Sequence, residues 1–312
     1  MPKPIVTLTL NPALDLVSSA EVVRPIHKIR TTGDRIDPGG GGINVARVIH
    51  SLGGDALAII AVGGVTGRYI EDLLDEAGVP RLSVPIAGRT RICLTVLSHA
   101  TGHPYRFVPQ GPVLSKQEWQ EVLDRIETVE ASWIVVSGSL PPGAPLDAYA
   151  QVARLAARRG VLVALDTSGP ALQAALDAGV ELVKPSLSEL ETIAGHKLRT
   201  PGEQEAACAS LVESGAARIV ALTLGTQGAL CVTRDSRFRL AAPAEKTGAA
   251  VGAGDSFLAA LVLALSRGAD PHDAISWGVA AGAAAASSEG TAQINPDEVA
   301  SRYQKLIRSA ET

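Results

Sequence analysis

The sequence is poor in the residues that most often announce a function. Of its 312 residues, three are cysteine, one is methionine and 3% are aromatic. Cys93, Cys208 and Cys231 are odd in number and far apart, which gives neither a disulfide framework nor a zinc pattern, and a reducing cytoplasm fits such a chain best. So few rings leave no stacking platform for single-stranded nucleic acid, and a net charge of −4 speaks against binding a phosphate backbone. The opening MPKPIVTLTLNP has no signal-peptide core, and the apolar run from Phe257 to Leu265 is far too short for a membrane span, so neither nucleic acid nor membrane is an expected partner. No Gly-Lys pair occurs, which removes the Walker A lysine. GGGGIN and GAGDSF fail the G-x-G-x-x-G spacing of a dinucleotide site, no serine fits G-x-S-x-G, and the six histidines never form H-E-x-x-H.

What is present is the composition of a packed α/β protein. Hydrophobic residues make up 46% and charged residues 19%, and the length allows one large unit with an appendage or two domains. Short β-branched runs, IVTLTL, ALAIIAVGG, WIVVSGS, VLVALD, ELVKP and RIVALTLG, alternate with amphipathic segments. Apolar on both faces, they read as parallel strands covered by helices on each side. Helices are predicted around 43–52, 67–77, 115–128, 146–159, 203–214, 255–266, 272–287 and 296–308. Residues 14–36 and 88–110 break this rhythm and are read as one small β lid, the core then comprising 1–13, 37–87 and 111–312. In the second stretch a two-residue turn at Thr101-Gly102 sets position 106 opposite 97, so Arg106 and Arg91 share a face; a slip of one residue would undo this.

Polar groups collect at the carboxyl ends of the predicted strands, where open α/β sheets bind ligands. LTLNPALD breaks at Asn11-Pro12 and delivers Asp15, either a turn acid or a ligand contact. SGSLPPG carries Ser139, LDTSG carries Asp166, and VKPSLSELE carries Lys184 and Glu189. PGGGGINVAR sets four glycines, Gly39 to Gly42, before a helix with Asn44 in its first turn; so many small residues suggest backbone that must touch something bulky and polar. In AAVGAGDSFLAALVLALS, Gly252, Ala253 and Gly254 leave open the N–H groups of a helix beginning near Ser256, with Asp255 beside them. Taken alone, Asp255 reads as a helix cap.

A single acid, an anion hole and no protein nucleophile suit transfer of a phosphoryl group to a hydroxyl, which needs positioning, charge stabilisation and a base. Asp255 would be that base, the N–H groups of Ala253, Gly254 and Asp255 would face the transferred group, and Glu189 would contact Mg²⁺, directly or through water. Two arginines on one lid face suit a phosphate monoester and favour a phosphorylated sugar over a free one. A sugar-phosphate sensor without transfer is the reading from another class, and an NAD-dependent dehydrogenase is disfavoured by its missing glycine spacing.

These motifs, with YRFVPQG, LGTQGAL and GVAAGAAA, resemble the ribokinase-like (PfkB) sugar kinase family over nearly the whole chain, and within it the bacterial ATP-dependent phosphofructokinase branch. The resemblance implies a three-layer αβα core with a mostly parallel sheet, and a β lid that closes over the sugar and commonly joins two subunits into a homodimer. It implies a catalytic base at Asp255 and an anion hole at Gly252, Ala253 and Gly254. Sugar contacts would come from Asp15, Gly40, Gly41, Asn44, Ser139 and Asp166, and contacts to the sugar's phosphate from Lys28, Arg91 and Arg106. The nucleotide side would involve Lys184, Ser186, Glu189, Thr223, Gly225, Gly228 and Gly254, with the small residues Gly278 to Ala285, Ala281 among them, making room for adenine. ATP and Mg²⁺ are the implied co-substrate and metal.

Within the branch, enzymes for fructose 1-phosphate usually carry lysine in an AGKGIN form and lack the YRF arginine; Gly41 and Arg106 therefore point to fructose 6-phosphate. Fructose 1-phosphate and tagatose 6-phosphate are the alternative acceptors. Three departures stand out. Ser186 replaces the asparagine of N-x-x-E, Ala249 and Ala250 replace the Asp-Thr before G-A-G-D and put a monovalent-cation requirement in doubt, and Thr226 stands where proline is common.

Overall fold

The computed structural model describes residues 3–243, 252–288 and 291–310. The chain opens with β1 (Ile5–Thr9), leaves the core for β2 (Ala13–Ala20) and β3 (Thr32–Gly39), and returns as α1 (Gly41–Ser51), β4 (Ala56–Val62), α2 (Gly64–Glu76) and β5 (Arg81–Pro85). It leaves again for β6 (Arg91–Ser98) and β7 (Pro104–Phe107). It then winds through α3 (Lys116–Thr128), β8 (Trp133–Ser137), α4 (Ala148–Arg158), β9 (Leu162–Asp166), α5 (Gly169–Ala178), β10 (Val180–Val183), α6 (Leu187–Ala194) and α7 (Pro201–Glu213). The remainder is β11 (Ala217–Thr223), β12 (Ala229–Val232), β13 (Arg237–Leu240), α8 (Ala253–Ser266), α9 (Pro271–Ser287) and α10 (Pro296–Ala310).

Nine strands form the main sheet in the order β13-β12-β11-β10-β9-β8-β1-β4-β5, parallel except where β12 and β13 turn back. Side chains alternate between its two faces, so Ile59 and Ala61 enter one core while Ala58 and Ile60 enter the other. The first core packs under α3 to α7 through residues such as Trp119, Tyr149, Leu172, Leu190 and Cys208. The second packs under α1, α2 and α8 to α10 through Ile43, Ile70, Leu258, Ile275 and Val299. This is the expected αβα sandwich. The chain moves from β1 to β4 on one side and later to β8 on the other, which places the switch point of the sheet at the carboxyl ends of β1 and β8. No helix among the described residues is long and apolar enough to cross a membrane.

A second sheet, β3-β2-β6-β7, stands over that edge, with β2 and β6 parallel and the outer pairs antiparallel. Its hairpin register differs from the expected one. Arg106 lies opposite Thr95, not position 97, because the turn is longer: Ser98 N–H donates to His103 O at 3.1 Å and Gly102 N–H to Ser98 O at 2.8 Å. The shift is two residues, so the face is preserved, and Arg106 and Arg91 both line the same cavity.

Helix starts differ as well. The helices expected from 43, 67 and 255 begin at Gly41, Gly64 and Ala253, inside the glycine-rich motifs. Sequence propensity puts the start after the glycines, but the backbone there is already helical, and glycine is required by what surrounds it. A Cβ on Gly41 would collide with the Ser137 hydroxyl, and one on Gly42 would sit 2.5 Å from Leu8 O. The two helices absent from the sequence reading, α5 and α6, are short. α6 is announced by a capping box: Ser186 Oγ accepts from Glu189 N at 3.4 Å, and Glu189 Oε2 accepts from Ser186 N at 2.8 Å.

Candidate active site

Between the small sheet and the carboxyl edge of the large one lies a cavity of about 320 Å³. The small sheet contributes Asp15, Arg91, Cys93, Thr95 and Arg106; the large sheet and its helices contribute Gly40, Gly41, Asn44, Ser137, Ser139, Asp166, Thr167, Glu189, Gly252, Asp255 and Thr291.

Asp255 is the third residue of α8, and it does not cap the helix. The N-cap is Gly252, with φ 82° and no side-chain cap. A Cβ on Gly252 would lie 2.6 Å from Ala292 N, so only glycine fits. The first intrahelical bond runs from Ser256 N to Gly252 O at 2.9 Å, which leaves the N–H groups of Ala253, Gly254 and Asp255 ahead of the helical ladder. The Asp255 carboxylate instead accepts a 2.8 Å hydrogen bond from Asn44 Nδ2, the product of a contact 211 residues apart in sequence. Burial raises its pKa to about 7, with the Asp166 carboxylate adding to the rise and the Asn44 hydrogen bond and Lys184 opposing it. An acid at that value is matched to accepting a proton near neutrality.

Asp15 sits at the other end of the cavity, on β2 and in register with Cys93 and Asp37. Its carboxylate rests against Gly39, where a Cβ would collide with it. Burial raises its pKa to about 6 against the pull of Arg106 and Arg91. The two arginines are not equivalent. Arg91 donates to Pro109 O and to Asn11 O, both at 2.8 Å, so its terminal nitrogens brace the chain, and its buried Nε has no hydrogen-bond partner among the described residues. Arg106 is exposed and makes no ion pair or hydrogen bond among the described residues, leaving its guanidinium fork open to the cavity.

Below the cavity, Lys184 is buried with its Nζ 3.1 Å from Asp166 Oδ1. Burial lowers its pKa, but Asp166, Asp255 and Glu189 together outweigh that and hold it raised, so it is a fixed positive charge. Gly254 lies over it: a Cβ there would be 3.5 Å from Nζ.

The cavity thus gathers Asp15, Gly40, Gly41, Asn44, Arg91, Arg106, Ser139, Asp166, Glu189, Gly252 and Asp255, with Ala253 and Gly254 adjoining. It does not gather Lys28, which is exposed between β2 and β3, nor Ser186, Thr223, Gly225, Gly228 or Ala281. Thr223 N donates to Pro185 O at 2.9 Å, and Gly225 and Gly228 shape the turn after β11. The small residues of α9 have a packing role: a Cβ on Gly278 would be 3.1 Å from the Phe257 ring and one on Gly282 3.2 Å from Ala253 O, so their absence lets α9 lie on α8. The four-glycine run likewise meets the protein's own strand ends. Ala249 and Ala250 lie outside the described residues.

Sequence reasoning missed several lining residues and one that supports them. Asn11, expected only as a break in the chain, lies outside the lining, but its Nδ2 donates to Gln110 O at 2.9 Å and to the lining Ser139 Oγ at 3.3 Å, tying two loops together. Thr167 was visible in LDTSG as a polar residue just past a strand. Thr291 carried no pattern.

A buried carboxyl with a raised pKa at one end, free backbone donors beside it, and an open arginine at the far end suit a phosphotransferase that acts on an alcohol group. The chain belongs to the pfkB family of carbohydrate kinases, whose pattern it matches over residues 10–298; such enzymes phosphorylate a sugar hydroxyl. It is 45% identical over 297 residues to the ATP-dependent 6-phosphofructokinase isozyme 2 of Mycobacterium tuberculosis, covering 95% of this chain and 87% of that one. It is 40% identical over 306 residues to the isozyme of the same name from Escherichia coli, covering 97% and 99%. The crystal structure of Escherichia coli phosphofructokinase-2 in complex with fructose-6-phosphate matches with a TM-score of 0.93 at 38% identity, covering 98% of this chain and all of that one.

Proposed function

We propose that the chain is an ATP-dependent 6-phosphofructokinase, converting fructose 6-phosphate and ATP to fructose 1,6-bisphosphate and ADP. The observation that carries this reading is that Asp255 and Arg106, whose guanidinium makes no hydrogen bond or ion pair among the described residues, line one cavity. An acceptor with its phosphate at Arg106 and its hydroxyls on Asp15, Asn44 and Ser139 directs a distal hydroxyl to Asp255. Asp255 takes the hydroxyl proton as the oxygen attacks the γ-phosphorus of ATP, and the bond to the β,γ-bridging oxygen breaks with ADP leaving in line. The N–H groups of Ala253, Gly254 and Asp255 stabilise charge on the transferred group, with Lys184 beneath them. Asn44 holds the Asp255 carboxylate in place.

Gly41, standing where the 1-phosphate enzymes of the resembling branch usually carry lysine, supports the 6-phosphate over the 1-phosphate; a Cβ at that position would meet Ser137. Mg²⁺, when bound, neutralises nucleotide phosphate charge. Glu189 lines the cavity, with its Oε2 also accepting from Ser186 N, and would be the carboxylate that meets the ion there, directly or through water. The small sheet acts as the lid. Its face opposite Asp15 exposes Ile36, Ile92, Tyr105 and Phe107, the last at 56%, and pairing of two copies through that face is the proposed dimer.

A coupled assay with fructose 6-phosphate, fructose 1-phosphate, tagatose 6-phosphate, fructose and ribose tests the reading. The highest kcat/KM is expected for fructose 6-phosphate with one ADP per turnover. Equal use of free fructose would overturn the phosphate assignment, and no ADP with any acceptor would overturn transfer.

A further inference from the structure

Behind the cavity wall, one guanidinium joins three pieces of the chain that the reaction needs in a single arrangement. Arg47 lies on α1 one turn beyond Asn44, with its side chain 13% exposed. Its Nη2 is 3.8 Å from Asp37 Oδ1, and its Nη1 donates to Pro38 O at 3.3 Å and to Thr291 O at 3.2 Å. Asp37, on β3 and 5% exposed, also pairs with Arg35 Nε at 2.9 Å and accepts from Thr291 N at 3.4 Å. Neither Arg47 nor Asp37 lines the cavity, but α1 presents Asn44 to it, the segment ahead of α10 presents Thr291, and β3 pairs with β2, where Asp15 stands opposite Asp37 and lines it.

The residue after Thr291 makes the link to the transfer side. Ala292 has φ 49°, a conformation that persists only where the surroundings impose it, and it packs against Gly252 at the start of α8. Both backbone hydrogen bonds to Thr291 from this group, one on its carbonyl and one on its N–H, hold the chain just ahead of that strained residue. A buried ion pair contributes little net stability, so its use here points to geometry.

We propose that Arg47 and Asp37 are positioning residues that couple occupancy of the sugar side to the anion-binding end of α8. A sugar held by β2 fixes β3, β3 fixes Asp37, Asp37 and Arg47 fix Thr291, and Thr291 seats Ala292 against Gly252. The assignment of the two sides rests on the function proposed above.

Coupling between two ligands is reciprocal and is measured as a ratio of affinities. Dissociation constants for a non-hydrolysable ATP analogue with Mg²⁺ are measured by calorimetry on the full chain, with and without saturating fructose 6-phosphate. The unaltered protein should bind the analogue at least about fivefold tighter with the sugar present, the lower end of typical coupling. In Arg47→Gln the ratio should fall below about twofold while affinity for the analogue alone changes little. Asp37→Asn, which preserves shape, should do the same, and the double variant should lose no more than either. A merely structural role would weaken both ligands and leave the ratio intact; an unchanged ratio in folded Asp37→Asn overturns the inference even if Arg47→Gln fails to fold. A ratio near one in the unaltered protein overturns the inference and leaves the function standing, whereas absence of both sugar binding and transfer overturns the function with it.

Discussion

As the proposed base, Asp255 is a reluctant anion because it is buried, which has two measurable consequences. Below its raised value of about 7 the carboxyl is protonated and cannot take the hydroxyl proton, so kcat/KM should rise about tenfold per pH unit up to roughly 7 and then level off. A pH–rate profile checks this; a flat profile from 5 to 8 would refute it. The same shift bears on stability. The folded carboxyl holds its proton more tightly than the ordinary 3.8, so its contribution is fully present below that value and is lost as pH rises toward 7. Asp255→Asn should therefore melt higher than the unaltered protein at pH 8, with the gap narrowing at pH 5, as scanning fluorimetry would show. Arg106, which makes no hydrogen bond or ion pair among the described residues and feels Asp15 only at longer range, should behave differently: Arg106→Ala should change the melting temperature little and raise KM for the phosphorylated sugar about tenfold or more, with little change for ATP. The sequence made Asp255 and Arg106 visible as single residues near strand ends. It could not show that Arg91 braces Pro109 and Asn11, or that Asn44 meets Asp255, because those contacts are made by the packing of distant segments.

At the scale of elements, glycines decide how closely strand ends and helix starts approach. Six of the nine strands of the main sheet, β1, β4 and β8 to β11, were legible because runs buried on both faces are apolar throughout, and the long helices because their faces are amphipathic; the short β5, β12 and β13 were not. The starts of α1 and α8 were not, since glycine reads as a breaker in sequence while here it admits Ser137, Leu8 and Ala292. Gly41→Ala would place a methyl group into Ser137, and overpacking of this kind costs about 1–3 kcal/mol. Urea unfolding should show that loss together with reduced turnover, while Gly202→Ala, with nothing within 4 Å, should be neutral or slightly stabilising. Equal stability of Gly41→Ala and the unaltered protein would mean that α1 is free to move. α6 was legible in principle from the S-x-x-E spacing at Ser186, and the residue that departs from the family's asparagine is the one that caps the helix.

For the whole molecule, the site exists because the switch point of a parallel sheet opens a crevice at the ends of β1 and β8, and a second sheet covers it. Asp255 stands on the core wall of the cavity and Arg106 on the covering sheet, whose back exposes Ile36, Ile92, Tyr105 and Phe107, the face proposed above to pair two copies. Phe107→Glu should convert a dimer to a monomer in light scattering; an unaltered protein that is already monomeric would remove that proposal. The most direct test of the account is single-turnover transfer by Asp255→Asn with both substrates bound. Loss of a general base predicts a rate lower by about 10²–10⁴-fold with both affinities kept; a rate within a few-fold of the unaltered protein would contradict the role given to Asp255.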